Sequence, residues 1–223
     1  MTEHHLAVTR TARYYQLGEL SAQTQRVWFV CHGYGQLAAY FSRHFAFLSA
    51  ANPDTVIIAP EGMSRFYLQG NGGRVGASWM TRDDRLHEIA DHIGFLNQLA
   101  AKILAECPTH VHVTVLGFSQ GTATVSRWLT QAPFRAAHLI LWAGSFPEDI
   151  GPAAAQQLVS SSRLSLVVGT EDEYISVAQA IKQQELLTEL GVTPQLITFA
   201  GKHELNRAVL EQLAAAERAV TLP

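Results

Sequence analysis

Cysteine is nearly absent: only Cys31 and Cys107 occur in 223 residues. Two isolated thiols make no disulfide framework, and such usage fits a reducing compartment, so a cytoplasmic location is expected. Charge is also sparse, at 16% of residues with a net charge of −3. That excludes the basic footprint of a nucleic-acid binder and gives no electrostatic case for an anionic membrane surface. No apolar run approaches the ~18 residues of a spanning helix, so stable membrane insertion is not expected. The opening MTEHHLAVTRTARYY lacks a basic segment followed by an apolar one, which argues against a signal peptide. Repeats, low-complexity tracts and long linkers are missing too, and residues 1–223 read as a single α/β domain. Oligomeric state has no signature in the chain.

Metal and cofactor signatures are equally scarce. The glycine-rich stretch 62–79 lacks the Gly-Lys-Ser/Thr ending of a phosphate loop. His87 and His92 stand five apart, about 140° around a helix, whereas a zinc-binding H-E-x-x-H needs four. His110 and His112 share a strand face with no third ligand close in sequence. No metal and no cofactor are therefore expected.

What the chain has is apolar residues, 48% of the total, arranged in short runs. Residues 27–31, 55–60, 111–116, 137–142, 164–168 and 195–199 read as buried strands. Segments 37–51, 81–105, 120–131 and 175–190, and a last one closing near Val220, have helical character. Regular alternation of the two predicts a mostly parallel sheet with helices on both faces. Residues 6–17 read as an edge strand, 62–79 as a loop, and 147–162 as a connection with a helical turn. No insertion is large enough to be a lid domain.

At the third of these strand ends the chain reads Gly117-Phe118-Ser119-Gln120-Gly121. A G-x-S-x-G pentapeptide between a strand and a helix predicts a sharp, strained turn with the serine at its apex. Gly117 and Gly121 leave room for neighbouring backbone. The following helix brings free N–H groups to the apex, so the amide of Gln120 is a candidate oxyanion donor. Earlier, His32-Gly33-Tyr34-Gly35 follows another buried strand, where a hydrolase of this plan keeps its second donor, the amide of Tyr34. His32 itself reads as a brace for that loop.

A serine hydroxyl needs a base, and the base needs an orienting carboxylate. In a parallel sheet all strand ends reach one edge, so residues distant in sequence can meet there. His203 follows the last strand, and imidazole, with an intrinsic pKa of about 6.5, can accept a proton at neutral pH. Glu171, Asp172 and Glu173 follow the strand before it, and Asp149 is a reserve candidate. The order nucleophile, acid, histidine is that of the α/β-hydrolase plan. Phe66, Tyr67 and Trp79 are either pocket walls or ordinary loop anchors.

These residues resemble the small carboxylesterase/phospholipase family that includes the acyl-protein thioesterases. Gly-Phe-Ser-Gln-Gly, His-Gly-Tyr-Gly and Ser78-Trp79 carry the resemblance. It implies an α/β-hydrolase fold with Ser119 as nucleophile, Asp172 as the acid among its neighbours, His203 as base, and the amides of Tyr34 and Gln120 as oxyanion hole. Three features depart from the family's usual pattern: Gln36 where Asp is common, Thr122 where Gly is common, and an acid loop lacking its first Asp and its Pro. The expected activity is hydrolysis of small-molecule carboxylic esters or thioesters. A hydrolase-shaped binding protein without turnover, and a peptidase or acyltransferase on the same triad, are the alternatives.

Overall fold

The computed structural model describes residues 1–160 and 162–219. Its centre is a seven-stranded sheet in the order β1-β3-β2-β6-β7-β8-β9. The strands are β1 (Tyr14–Leu17), β2 (Arg26–Cys31), β3 (Thr55–Pro60), β6 (His112–Phe118), β7 (His138–Trp142), β8 (Arg163–Gly169) and β9 (Gln195–Phe199). A separate hairpin pairs β4 (Ser64–Gln69) with β5 (Gly72–Ser78). In the main sheet β1 runs antiparallel to β3, and every other pairing is parallel. This is the α/β-hydrolase fold, and no lid domain interrupts the described residues.

Side chains alternate across each strand, so each strand feeds two cores. Val27, Phe29 and Cys31 of β2 face one cluster. There they meet α3 (Arg85–Leu104) through Ile93, Leu96, Ala100 and Ile103, and α4 (Gln120–Leu129) through Val125 and Trp128. Helices α5 (Pro152–Ser160) and α6 (Val177–Glu189) add Leu158 and Leu187 to that face. Trp28 and Val30 face the opposite cluster, with Ala38 and Phe41 of α1 (Ala38–Phe41) and Leu48 of α2 (Ala46–Ala51). Leu210 and Leu213 of α7 (Arg207–Arg218) complete it. Because β2, β6, β7 and β8 are covered on both sides, they read as continuous apolar runs.

Four expectations need correction. The edge strand covers Tyr14–Leu17 only, because the residues before it are exposed, Leu6 and Val8 among them. The helix over 37–51 is three short pieces, with a 3-10 turn at Ser42–Phe45 between α1 and α2. Stretch 62–79 is the β4–β5 hairpin rather than a loop; its strands are largely exposed and so lack an alternating apolar pattern. Helix α3 begins at Arg85, after Asp84 in a left-handed conformation, rather than at residue 81. The last helix ends at Arg218; Val220 lies outside the described residues.

The topology has one reversal. From β2 the chain adds β3 on one side and, later, β6 on the other. At such a switch point the loops leaving the two carboxyl ends diverge and open a crevice. Here those ends are Cys31, followed by His32-Gly33-Tyr34-Gly35, and Phe118, followed by Ser119, with Cys31 in register with Gly117. Packing of α3 on the sheet is a main support of this edge. Leu96→Ala, at a fully buried α3 position, should cost about 2–5 kcal/mol in urea unfolding. Leu86→Ala, on the exposed side of the same helix, should stay within about 0.5 kcal/mol. Equal effects would contradict the assigned face.

Candidate active site

Ser119 sits between β6 and α4 with φ 53° and ψ −118°, a conformation costly for any residue with a side chain. Close packing holds it there. A Cβ on Gly117 would lie 2.3 Å from the Gly121 carbonyl oxygen, and one on Gly121 would lie 2.3 Å from that of Cys31. The Ser119 N–H donates to the Trp142 carbonyl at 2.8 Å. Its own carbonyl accepts from the Thr122 hydroxyl at 2.7 Å, so threonine at this position secures the turn. Ser119 is the N-cap of α4, yet its side chain makes no capping hydrogen bond. Capping therefore leaves the hydroxyl unused.

The loop after β2 comes close to this turn. A Cβ on Gly33 would lie 3.0 Å from the Ser119 Cβ. Most nearby amides are occupied: Gly33 donates to Gln36 Oε1 at 2.8 Å, and Gly35 to the Ala77 carbonyl at 2.8 Å. Gln36 thus braces the loop. The amides of Tyr34 and Gln120, by contrast, have no acceptor among the described residues. His32 is fully buried; its Nε2 accepts from the Gly62 N–H at 3.0 Å, which leaves the proton on Nδ1 to donate to the Gly33 carbonyl at 2.7 Å. Burial pushes this imidazole down to about 4, so it is neutral and structural.

The side chain of Gln120 ties the turn to the segment after β5. Its Oε1 accepts from the Trp79 N–H at 3.1 Å and its Nε2 donates to the Met80 carbonyl at 2.8 Å. Trp79 does not wall a pocket: it is 2% exposed, and its indole N–H donates to the His32 carbonyl at 2.8 Å. It braces the loop floor, because a buried indole needs an acceptor for its N–H. Phe66 packs on Tyr34 with ring centroids 5.1 Å apart, and Tyr67 is exposed.

Asp172 and His203 lie in the loops after β8 and β9. These loops approach so closely that a Cβ on Gly169 would lie 2.3 Å from the Gly201 carbonyl oxygen. Asp172 Oδ2 is 2.8 Å from His203 Nδ1, and the Asp172 side chain is fully buried. Its Oδ1 accepts from the amides of Tyr174 and Ile175 at 2.8 and 3.0 Å. Glu171 and Glu173 are exposed. The reserve acid Asp149 is occupied elsewhere, accepting from Arg127 at 2.7 and 3.0 Å and pairing with Arg85 at 3.2 Å. The Arg127 hydrogen bonds hold its carboxyl down at about 2. The His203 ring packs against Phe118, the residue before Ser119, with centroids 5.0 Å apart. The structure thus gathers Ser119, Asp172, His203 and the amides of Tyr34 and Gln120 at one edge of the sheet.

A groove of about 420 Å³ begins at Gly35 and Gln36 and runs between α1 and the hairpin, with Leu37, Tyr40, Phe41, Leu68 and Val75 among its walls. One buried residue beneath it was not singled out from sequence. Glu61 accepts from the Ala38 N–H at the start of α1 and pairs with Arg65 and Arg13. Burial alone would raise its carboxyl, but the two arginines outweigh that and it lies below its ordinary value. The signal was a lone acid directly after a buried strand. Among the described residues, three possible metal ligands converge at His5, Asp84 and His87, all exposed; both imidazoles contact Asp84 Oδ1 and stack on each other.

A family model described as phospholipase/carboxylesterase matches residues 18–216. No curated protein sequence matches. Among solved structures, esterase PE8 superposes with a TM-score of 0.69 at 20% identity, covering 95% of this chain and 100% of that one. Acyl-protein thioesterase 2 from Zea mays gives 0.70 at 18% identity, covering 94% and 99%. A carboxylesterase from Mesorhizobium loti gives 0.70 at 20% identity, covering 92% and 94%. At such identities these structures establish a shared fold.

Beneath the site two buried imidazoles are held neutral. Burial lowers His92 on α3 to about 4, as it does His32. Unfolded histidines titrate near 6.5, so between about pH 6.5 and 4 the unfolded chain binds more protons than the folded one. Stability is therefore complete above about pH 6.5 and falls as the pH drops toward 4, by up to roughly 3 kcal/mol per histidine. Urea unfolding at pH 7 and pH 4.5 should show that loss; equal stability at both would contradict the buried, neutral assignment.

Proposed function

The chain belongs to the phospholipase/carboxylesterase family, and on that premise we propose that it is a serine hydrolase cleaving carboxylic esters or thioesters through an acyl-enzyme on Ser119. The observation that carries this reading is the 2.8 Å contact between Asp172 and His203, with the imidazole packed on the residue next to the strained Ser119. Nδ1 of His203 is taken by Asp172, so Nε2 is the nitrogen that receives the Ser119 proton as Oγ attacks the carbonyl carbon. The developing oxyanion is met by the unclaimed amides of Tyr34 and Gln120. Asp172, whose Oδ1 accepts from two backbone amides, stabilises the imidazolium through Oδ2. His203 then protonates the leaving oxygen or sulfur, and a water activated by the same imidazole releases the acid.

The groove beginning at Gly35 supports an apolar acyl group on the substrate, since its walls are largely aliphatic and aromatic. With no lid domain among the described residues to enclose a long chain, short or medium acyl groups are favoured. No helix among the described residues is long and apolar enough to cross a membrane.

A panel of esters and thioesters tests the proposal. Ser119→Ala should lower kcat/KM on the best substrate by several orders of magnitude, on the order of a million-fold, with the folded structure retained. Wild-type turnover in that variant would refute the role of Ser119. Across p-nitrophenyl esters from acetyl to palmitoyl, kcat/KM should peak at short or medium chains; a maximum at palmitoyl would refute the reading of the groove.

A further inference from the structure

Resting on the hydrolase reading, we propose that Tyr174 sets leaving-group preference and positions His203: its ring forms the wall on which the departing alcohol or thiol rests, and it favours leaving groups with a flat aromatic face. Tyr174 is 69% exposed, in a protein that fully buries Trp28, Trp128 and Trp142. An aromatic ring left in water adds little to folding stability. Its backbone is nonetheless anchored. The Tyr174 amide donates to Asp172 Oδ1, so the ring is carried on the same turn as the acid. The ring lies 4.6 Å from the His203 imidazole, centroid to centroid, at an interplanar angle of 59°.

The chemistry decides what meets that ring. His203 has to deliver its proton to the leaving oxygen or sulfur from Nε2, because Asp172 holds Nδ1. The substituent on that atom therefore has to lie beside the imidazole. Two aromatic rings border the imidazole, and one of them, Phe118, is 3% exposed. The accessible one is Tyr174. The acyl groove starts elsewhere, at Gly35, so the two halves of the substrate meet different walls. The Tyr174 hydroxyl has no partner among the described residues, which assigns the role to the ring face.

Phenyl butyrate and cyclohexyl butyrate share an acyl group and differ in the flatness of the leaving group. Tyr174→Phe should keep both KM values within about twofold. Tyr174→Ala should raise KM for the phenyl ester about three- to tenfold more than for the cyclohexyl ester, while kcat falls equally for both as His203 loses a neighbour. Tyr174→Leu, which keeps an apolar side chain without a π face, should reproduce the change in KM ratio. If Ala and Leu leave the KM ratio unchanged while Ser119 still reacts with a fluorophosphonate, the Tyr174 assignment is overturned and the hydrolase reading stands. If the wild-type protein neither turns over these esters nor reacts with the fluorophosphonate, the hydrolase reading fails and this inference with it.

Discussion

The structure depends on one unfavourable backbone conformation. Ser119 is held at φ 53°, where a residue with a side chain is strained by roughly 1–3 kcal/mol. The strain persists because the backbones around it leave no alternative: Gly117 against Gly121, Gly121 against Cys31, and Gly144 against the Ser119 carbonyl. Each of these approaches depends on the absence of a Cβ. The Trp142 carbonyl and the Thr122 hydroxyl fix the N–H and the C=O of Ser119. A turn so constrained projects its hydroxyl from the sheet edge while leaving α4's first amide unclaimed.

The rest of the fold brings partners to that point. The switch between β2 and β6 places the Gly33 loop beside the turn, and Trp79, His32 and Gln120 lock loop, hairpin and elbow together. Arg13 and Arg65 on Glu61 serve the same end, because that carboxylate caps α1 directly behind the loop. On the other flank, β8 and β9 end in loops that touch at Gly169 and Gly201 and so align Asp172 with His203. These supports are hydrogen-bonded, and His32, Glu61 and Trp79 among them are buried, which keeps the edge preorganised rather than assembled on demand.

Much of this was legible in the sequence because it rests on local rules. Strands buried on both faces are continuous apolar runs, and G-x-S-x-G between strand and helix is a steric statement. What was not legible depends on packing across the sheet. Trp79 reads equally as a pocket wall or a loop anchor until its indole is seen to satisfy the His32 carbonyl. Stretch 62–79 reads as a loop because an exposed hairpin carries no alternating pattern. Asp149 and Asp172 are both acids after strands; the arginines of α3 and α4 that claim Asp149 are distant in sequence. Glu61 shows its role only through neighbours that the chain brings in from elsewhere.

A crystal structure of the protein after reaction with a phosphonate ester inhibitor tests the central claim most directly. The account predicts a single phosphonyl group on Ser119 Oγ, with one phosphoryl oxygen within hydrogen-bond reach of the amides of both Tyr34 and Gln120. An adduct on another residue, or a Ser119 adduct whose oxygen points away from both amides, would contradict it.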